Sequence, residues 1–261
     1  MSDSTAQPAP ALTMWPLQHV PMVAPGDDLA GLLLQALTKE SLELEPGDIL
    51  VCAQKIVSKA EHRQFALNDI TPGAAAEQLA KETEKDPRLV ELILQESTEV
   101  LRKKPGVIIV RHRLGLVGAN AGIDQSNIDH GDDAQALLLP KDPDASASAL
   151  AATVFARTAV PIGVVIADSM NRPWRLGTIG GAIGCAGVDV LEDHRGGEDL
   201  YGRELKVTLI NRADALAAAA TLLMGETTEK IPAVLVRGFA PSDTTQTAAA
   251  IPRPLEEDMF R

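Results

Sequence analysis

Four apolar stretches of this chain stop abruptly at polar side chains. Residues 49–53 read ILVCA and give way to QKIVSK. Residues 114–117 lead into ANAGIDQSNID, which packs Asn120, Asp124, Ser126, Asn127 and Asp129 into eleven residues without a cation. Residues 163–167 end at DSMNRPWR, and the alanine-rich run 212–224 ends at GETTEK. Short apolar runs bounded by turn signals read as buried strands. Ligands often bind at the ends of such elements, where loops on a rigid scaffold present side chains and backbone amides. The question the chain poses is what these four polar clusters hold.

Hydrophobic residues make up 45% of the 261 positions and aromatic ones only 3%, so the core has to be aliphatic. A net charge of −12 argues against general nucleic-acid binding, which relies on basic patches, but leaves room for a local cationic pocket. No run of about 18 apolar residues is present, so no membrane span is expected. The start, MSDSTAQPAPALTMWP, has no basic segment followed by an apolar run, unlike a signal peptide. Cys52 and Cys185 form no CxxC or zinc spacing and sit among small apolar residues, as buried thiols do in a reducing compartment. The expected location is the cytoplasm.

Residues 1–18 read as a disordered tail, 19–240 as one domain and 241–261 as a polar C-terminal tail. Within the domain, a strand near residue 20 precedes a helix capped by Asp27 or Asp28. A helix is expected over 74–84. Another begins at Asp86-Pro87, with Asp at the cap and Pro in the first turn, and is expected to run to about Lys104. Strands follow at 107–110 and 114–117, a helix from about Ser146, a strand at 163–167, a strand at 205–210, a helix over 212–224 and a last strand at 231–237. Residues 177–187 hold five glycines and read as tight packing or turns. Strands and helices mix without regular alternation, so the fold class is α+β, mixed sheets with flanking helices.

Asp124, Asp168 and Glu226 are hard oxygen ligands suited to Mg²⁺ or Mn²⁺, which take few carboxylates and leave room for water and phosphate. Lys55, Lys59, Arg172 and Arg175 are placed to neutralise phosphate oxygens. Acids beside cations suit metal-dependent phosphoryl transfer. The plainer reading has each Asp as a turn or cap residue and each lysine as solvated. Trp174 reads first as a core anchor and second as a stacking platform. The five histidines form no HxxxH or HExxH, so zinc is not expected. Neither GxxxxGK[ST] nor GxGxxG is present.

Four stretches taken together resemble one family. They are GDILVCAQKIVSKAEHR at 47–63, GLVGANAGIDQSNID at 115–129, LLLPKDPDASA at 137–147, and the block from VVIADSMNRPWRLGTIGG to LLMGE at 164–226. They are similar to the coenzyme F-420-0:L-glutamate ligases, or γ-glutamyl ligases, over residues 21–238. The resemblance implies a ligase-like fold, an intertwined homodimer, and a cytoplasmic enzyme of coenzyme F-420 biosynthesis. It implies that GTP and two Mg²⁺ or Mn²⁺ ions serve to join L-glutamate to the lactyl carboxylate of the deazaflavin precursor through an acyl-phosphate. Further γ-linked glutamates are an additional expectation.

The resemblance also implies roles residue by residue. Asp124 of the NAGID motif binds metal and Asn127 contacts nucleotide. Asp168 is a second metal ligand, with Ser169 where the family usually has Thr. Glu226 of the MGE motif serves a second ion, flanked by nucleotide contacts at Met224, Gly225 and Thr227. Gln54, Lys55 and Lys59 contact nucleotide, and Val20, Pro21, Met22 and Val23 line its site through their backbone. Arg172 and Arg175 take the catalytic part. Asn171 stands where the family usually has Gly, and Ala215 where an acid is common. Competing readings are a related ligase with another acceptor, a non-catalytic nucleotide- or deazaflavin-binding protein, and a metal-dependent phosphohydrolase.

Overall fold

A computed structural model describes residues 11–171 and 173–259. In chain order the elements are β1 (Thr13–Pro16), α1 (Leu29–Lys39), β2 (Ile49–Ala53), α2 (Gln54–Ala60), β3 (Gln64–Ala66), α3 (Ala74–Thr83) and α4 (Pro87–Gln95). Then come β4 (Ser97–Lys104), β5 (Val107–His112), β6 (Val117–Ala119), β7 (Gln135–Leu137), α5 (Pro143–Thr158), β8 (Gly163–Asn171) and β9 (Thr178–Ala186). The last are β10 (Leu191–Asp193), β11 (Leu209–Asn211), α6 (Arg212–Met224) and β12 (Ala233–Arg237). The α+β expectation holds, with six helices and several sheets among the described residues.

The central sheet has the order β1-β12-β2-β8-β9. β2 and β8 are parallel, in register from Ile49 opposite Gly163 to Ala53 opposite Ala167. The other pairings are antiparallel. Leu50 and Cys52 of β2 pack with Leu33, Leu37, Leu150 and Val154 of α1 and α5. Ile49 and Val51 pack with Ala213, Ala217 and Ala220 of α6. A strand covered on both faces reads as a continuous apolar run rather than an alternating one, which is why ILVCA stands out in the sequence. A second lobe packs α3 and α4 on β4-β5-β6 around Leu79, Val90, Ile93, Ile108 and Val110.

Most of the glycine-rich stretch is strand β9, where Gly180 and Gly184 serve close packing, while Gly177 and Gly187 flank it with φ of +85° and +62°. A methyl group on Gly180 would lie 2.1 Å from Thr221 Oγ1 of α6, and one on Gly184 2.3 Å from the Pro143 carbonyl at the start of α5. The pairing slips between Ile166 and Ala167, so Ala182 and Cys185, three residues apart, face the same core.

Several expectations are corrected. The stretch expected to be disordered up to residue 18 includes β1, paired with β12, and Leu17 is fully buried. Trp15 lies under the Arg237 guanidinium, and Pro16 is tolerated because β1 is an edge strand. Residues 1–10 lie outside the described residues. The helix expected to reach Lys104 stops at Gln95 and the chain continues as β4. Glu96 turns inward to Arg63 and Arg113, which ends the helix although apolar residues continue beyond it. The strand expected at 114–117 starts at Val117, the one expected at 205–210 is Leu209–Asn211, and no strand forms near residue 20. The C-terminal segment is held down: Gln246 Oε1 accepts from the N–H groups of Val190 and Leu191 at 2.8 Å, and Ala248 is buried. Among the described residues no helix is long and apolar enough to cross a membrane.

Candidate active site

β2 passes into α2 with no intervening loop, since Ala53 ends the one and Gln54 begins the other. Ala53 lies opposite Ala167 in a parallel pair, so Gln54 and Asp168 follow at the same end of that pair, where β2 stops and β8 runs on to Asn171 against β9. The carboxyl ends of parallel strands are where open α/β sheets bind ligands. The next residues of α2 decide what this end presents. Ser58, one turn on and fully buried, donates its hydroxyl to Gln54 Oε1 at 2.8 Å. That bond orients the Gln54 amide, whose Nε2 donates to Asp124 Oδ2 at 2.9 Å. The Lys55 ammonium pairs with the same carboxylate oxygen, with about a quarter of each side chain exposed.

Asp124 is fixed by its backbone as well. It exchanges two hydrogen bonds with Leu137, 2.9 Å from its N–H and 2.8 Å to its carbonyl. Asn127 has φ +56°, a left-handed conformation that Asn adopts more readily than most residues. Its carbonyl accepts from Lys59 Nζ at 3.1 Å. Burial lowers the Lys59 pKa and the like charge of Lys55 adds to this, while Asp129 opposes it.

Asp168 sits in β8 and is partly accessible, with Oδ1 accepting from the Ser169 N–H at 2.9 Å. Its pKa is pushed up to about 7, first by burial and then by the charge of Asp124, with Glu226 adding; Lys55 and the Ser169 N–H pull the other way. Asp124, Asp168 and Glu226 are thus near enough to repel, and the negative charge exceeds what Lys55 offsets. Glu226 follows Gly225, the cap of α6, whose φ of +71° suits glycine. A methyl group there would also lie 2.2 Å from Glu229 Cδ. Glu229 accepts from the Thr227 N–H at 2.8 Å and from its hydroxyl at 3.0 Å, which fixes this turn.

The donor set fits a hard divalent cation: three carboxylates and the Ser169 hydroxyl, with surplus negative charge. Among the described residues no three His, Cys, Asp or Glu side chains close around a single point. The fit is therefore to an ion that takes one or two carboxylates and completes its shell with water and phosphate oxygens.

Of the other expected residues, Val20 and Val23 pack into the core, Met22 is exposed, and the segment is tied to the end of α2 through Gly26 N–H to Ala60 O at 2.9 Å. That tie places it beside the helix that carries Lys59. Met224 is buried. Arg175 is exposed on the loop after β8. Arg172 lies outside the described residues. Trp174 is 90% exposed, so it is no core anchor. A cavity of about 80 Å³ adjoins Asp168 and Ser169, walled by Leu116, Gly122, Leu139 and Met170. A larger one, about 420 Å³, opens at the opposite ends of the same strands, at Ile49 and Gly163, and holds none of the three clustered acids.

Ser58, Leu137 and Glu229 were not singled out in the sequence. Ser58 carries a local signal, four residues after Gln54 on one helix face. Leu137 carries none, because it acts through its backbone.

A family model described as F420-0:Gamma-glutamyl ligase matches residues 18–238. The Coenzyme F420:L-glutamate ligase of Methanopyrus kandleri is 45% identical over 256 residues, 97% of this chain and 98% of that protein. The protein of the same name from Methanothermobacter thermautotrophicus is 43% identical over 94% of this chain and 97% of its own length. That of Archaeoglobus fulgidus is 40% identical over 95% and 96%.

Proposed function

The chain belongs to the F420-0:gamma-glutamyl ligase family, and from that premise we propose that it is a GTP- and metal-dependent ligase that joins L-glutamate to the lactyl carboxylate of coenzyme F-420-0. The observation that carries this reading is the convergence of Gln54 and Lys55 on Asp124 at the end of the β2–β8 pair where Asp168 lies. In this reading the γ-phosphoryl group moves from GTP to a lactyl carboxylate oxygen, breaking the bond to GDP. The glutamate amine then attacks the acyl carbon, phosphate leaves with the C–O bond pair, and the amine loses a proton. Carboxylate and triphosphate repel each other, so the chemistry needs positive charge between them.

Asp124, Asp168, Ser169 and Glu226 would hold one or two divalent ions, which offset the charge of the phosphates when bound. Lys59 binds nucleotide, oriented by its contact with the Asn127 loop. Gln54 holds Asp124 in place through Ser58. Arg172 and Arg175 are assigned to the phosphate oxygens. The 20–23 segment and the 224–227 turn flank the nucleotide. The reading includes a cytoplasmic homodimer. Support for the homodimer is the number of large apolar side chains left in solvent, at Trp174 and Leu176 after β8 and at Leu200, Tyr201 and Val207 between β10 and β11, as an association surface requires.

The test is a product assay with purified protein, GTP, Mn²⁺, L-glutamate and coenzyme F-420-0, read by mass. A gain of one or more glutamyl units with matching GDP release is the expected result. GDP release without a glutamylated product points to another acceptor or to a phosphohydrolase. Binding of nucleotide without turnover points to a binding protein.

A further inference from the structure

Between the two hydrogen bonds that join Asp124 to Leu137, the chain makes a closed loop, residues 125–136. One side chain ties its two limbs together. His130 Nδ1 accepts from the Gln135 N–H at 2.9 Å, and His130 Nε2 lies 2.8 Å from the Gln125 carbonyl. A nitrogen that accepts from an N–H carries no proton, so the neutral ring bears its proton on Nε2 and donates it to Gln125. Gln125 directly follows Asp124, and Gln135 lies two residues before Leu137. The imidazole therefore braces the loop just beyond its neck. On the outer limb, Lys59 reaches the Asn127 carbonyl and Gln64 Nε2 donates to the Asp129 carbonyl at 3.0 Å. The weaker Gln125 Nε2 to Gln135 carbonyl contact, at 3.4 Å, runs alongside.

We propose that His130 is a positioning residue, which rests on the functional reading above: it holds the 125–136 loop in the form that presents Asp124 and Asn127 to a metal-bound nucleotide. The side chain touches no reacting atom. It acts through Gln125, whose displacement would turn the adjacent Asp124 carboxylate and the Asn127 backbone away from Lys55 and Lys59. Within residues 125–136 only Ala136 enters an aliphatic core, and the β3–β7 pairing holds it there. Loss of the brace should thus be felt in nucleotide use before it is felt in stability.

The experiment compares the full-length protein with His130→Ala and His130→Gln in the ligation assay with GTP, Mn²⁺, L-glutamate and coenzyme F-420-0. Thermal midpoint and amide exchange are measured alongside. His130→Ala is expected to raise the KM for GTP about tenfold, the size of one or two lost neutral hydrogen bonds. The KM for glutamate should stay within about twofold and the thermal midpoint close to that of the parent, with faster exchange confined to 125–136. His130→Gln, whose amide reaches the place of Nε2, is expected to recover most of the GTP affinity. An unchanged KM for GTP in His130→Ala overturns the inference, as does a Gln variant no better than Ala. A rise in KM accompanied by faster exchange throughout the chain also overturns it, because the residue is then merely structural. If the parent protein itself turns over no GTP, the functional reading fails and takes this inference with it, an outcome told apart by the parent's own inactivity.

Discussion

Glu96 and Asp168 are both carboxylates drawn partly out of water, and their surroundings push them in opposite directions. Burial alone would raise Glu96, but His112, Arg63 and Arg113 outweigh it and hold its pKa down at about 2. Arg63 Nη2 lies 2.9 Å from Glu96 Oε2, Arg113 Nε 3.2 Å and His112 Nε2 3.3 Å. The two arginines are themselves anchored, Arg63 Nε on the Leu139 carbonyl at 2.8 Å and Arg113 Nη1 on the Lys141 carbonyl at 2.6 Å. This cluster has more cations than acids and ties α4 and β5 to the segment after β7. Around Asp168 the count is reversed, with Asp124 and Glu226 against Lys55. A carboxylate outnumbered by cations is held charged and serves stability. Carboxylates that outnumber their cations suit a cationic partner, since repelling carboxylates cost folding free energy unless something offsets them.

The largest effect should come from unbalancing the second cluster. Asp168→Asn and Asp124→Asn are each expected to lower turnover on the order of a thousandfold, as an amide is a weak ligand for a hard cation. For Asp168→Asn the thermal midpoint should hold or rise, because a repulsion has been removed. Full turnover in both variants at limiting Mn²⁺ would end the distinction between the clusters. Glu96→Gln should do the reverse. It leaves Arg63 and Arg113 without their counter-charge and is expected to cost about 3 kcal/mol of stability by denaturant titration, with turnover per folded molecule preserved. A Glu96→Gln variant as stable as the parent but inactive would invert the comparison.

Acid titration sharpens it further. The Glu96 carboxyl is depressed from its ordinary 4.5 to about 2 in the folded state. The unfolded chain therefore takes up the proton first as pH falls. The stability due to Glu96 is complete above about pH 4.5 and is lost progressively down to about pH 2. Glu96→Gln should flatten the fall of the unfolding midpoint across that window. The smallest effect is expected from Lys59→Ala, which should raise the KM for GTP about tenfold and leave that for glutamate unchanged. Equal shifts for both substrates would remove Lys59 from the nucleotide side.

Much of this was legible in the chain. Asp28 caps α1, Asp86-Pro87 opens α4, and α6 spans Arg212–Met224, each from local signals that the structure reproduces. The ILVCA run is β2, and both cysteines are buried. The candidate acids were readable as hard oxygen ligands, and the motif resemblance singled out the same residues, but Asp168, expected just after a strand ending at residue 167, lies within β8, which runs on to Asn171. What failed was local reasoning applied to non-local causes. The apolar spacing that extends α4 on paper belongs in fact to a strand, because Glu96 finds its partner 33 residues back in Arg63. The TMWP segment is an ordered strand only because β12 offers it an edge.

The sequence by itself determined the aliphatic core, the helix caps, the short buried strands and the family, since these rest on residue type and near spacing. Tertiary structure alone decided which carboxylates meet cations and which meet one another. Gln54 and Asp124 are 70 positions apart, and Asp168 joins them through the parallel register of β2 and β8. Electrostatic balance falls off with distance in space rather than along the chain, so the roles of Glu96 and Asp168 could be told apart only once the fold had chosen their neighbours.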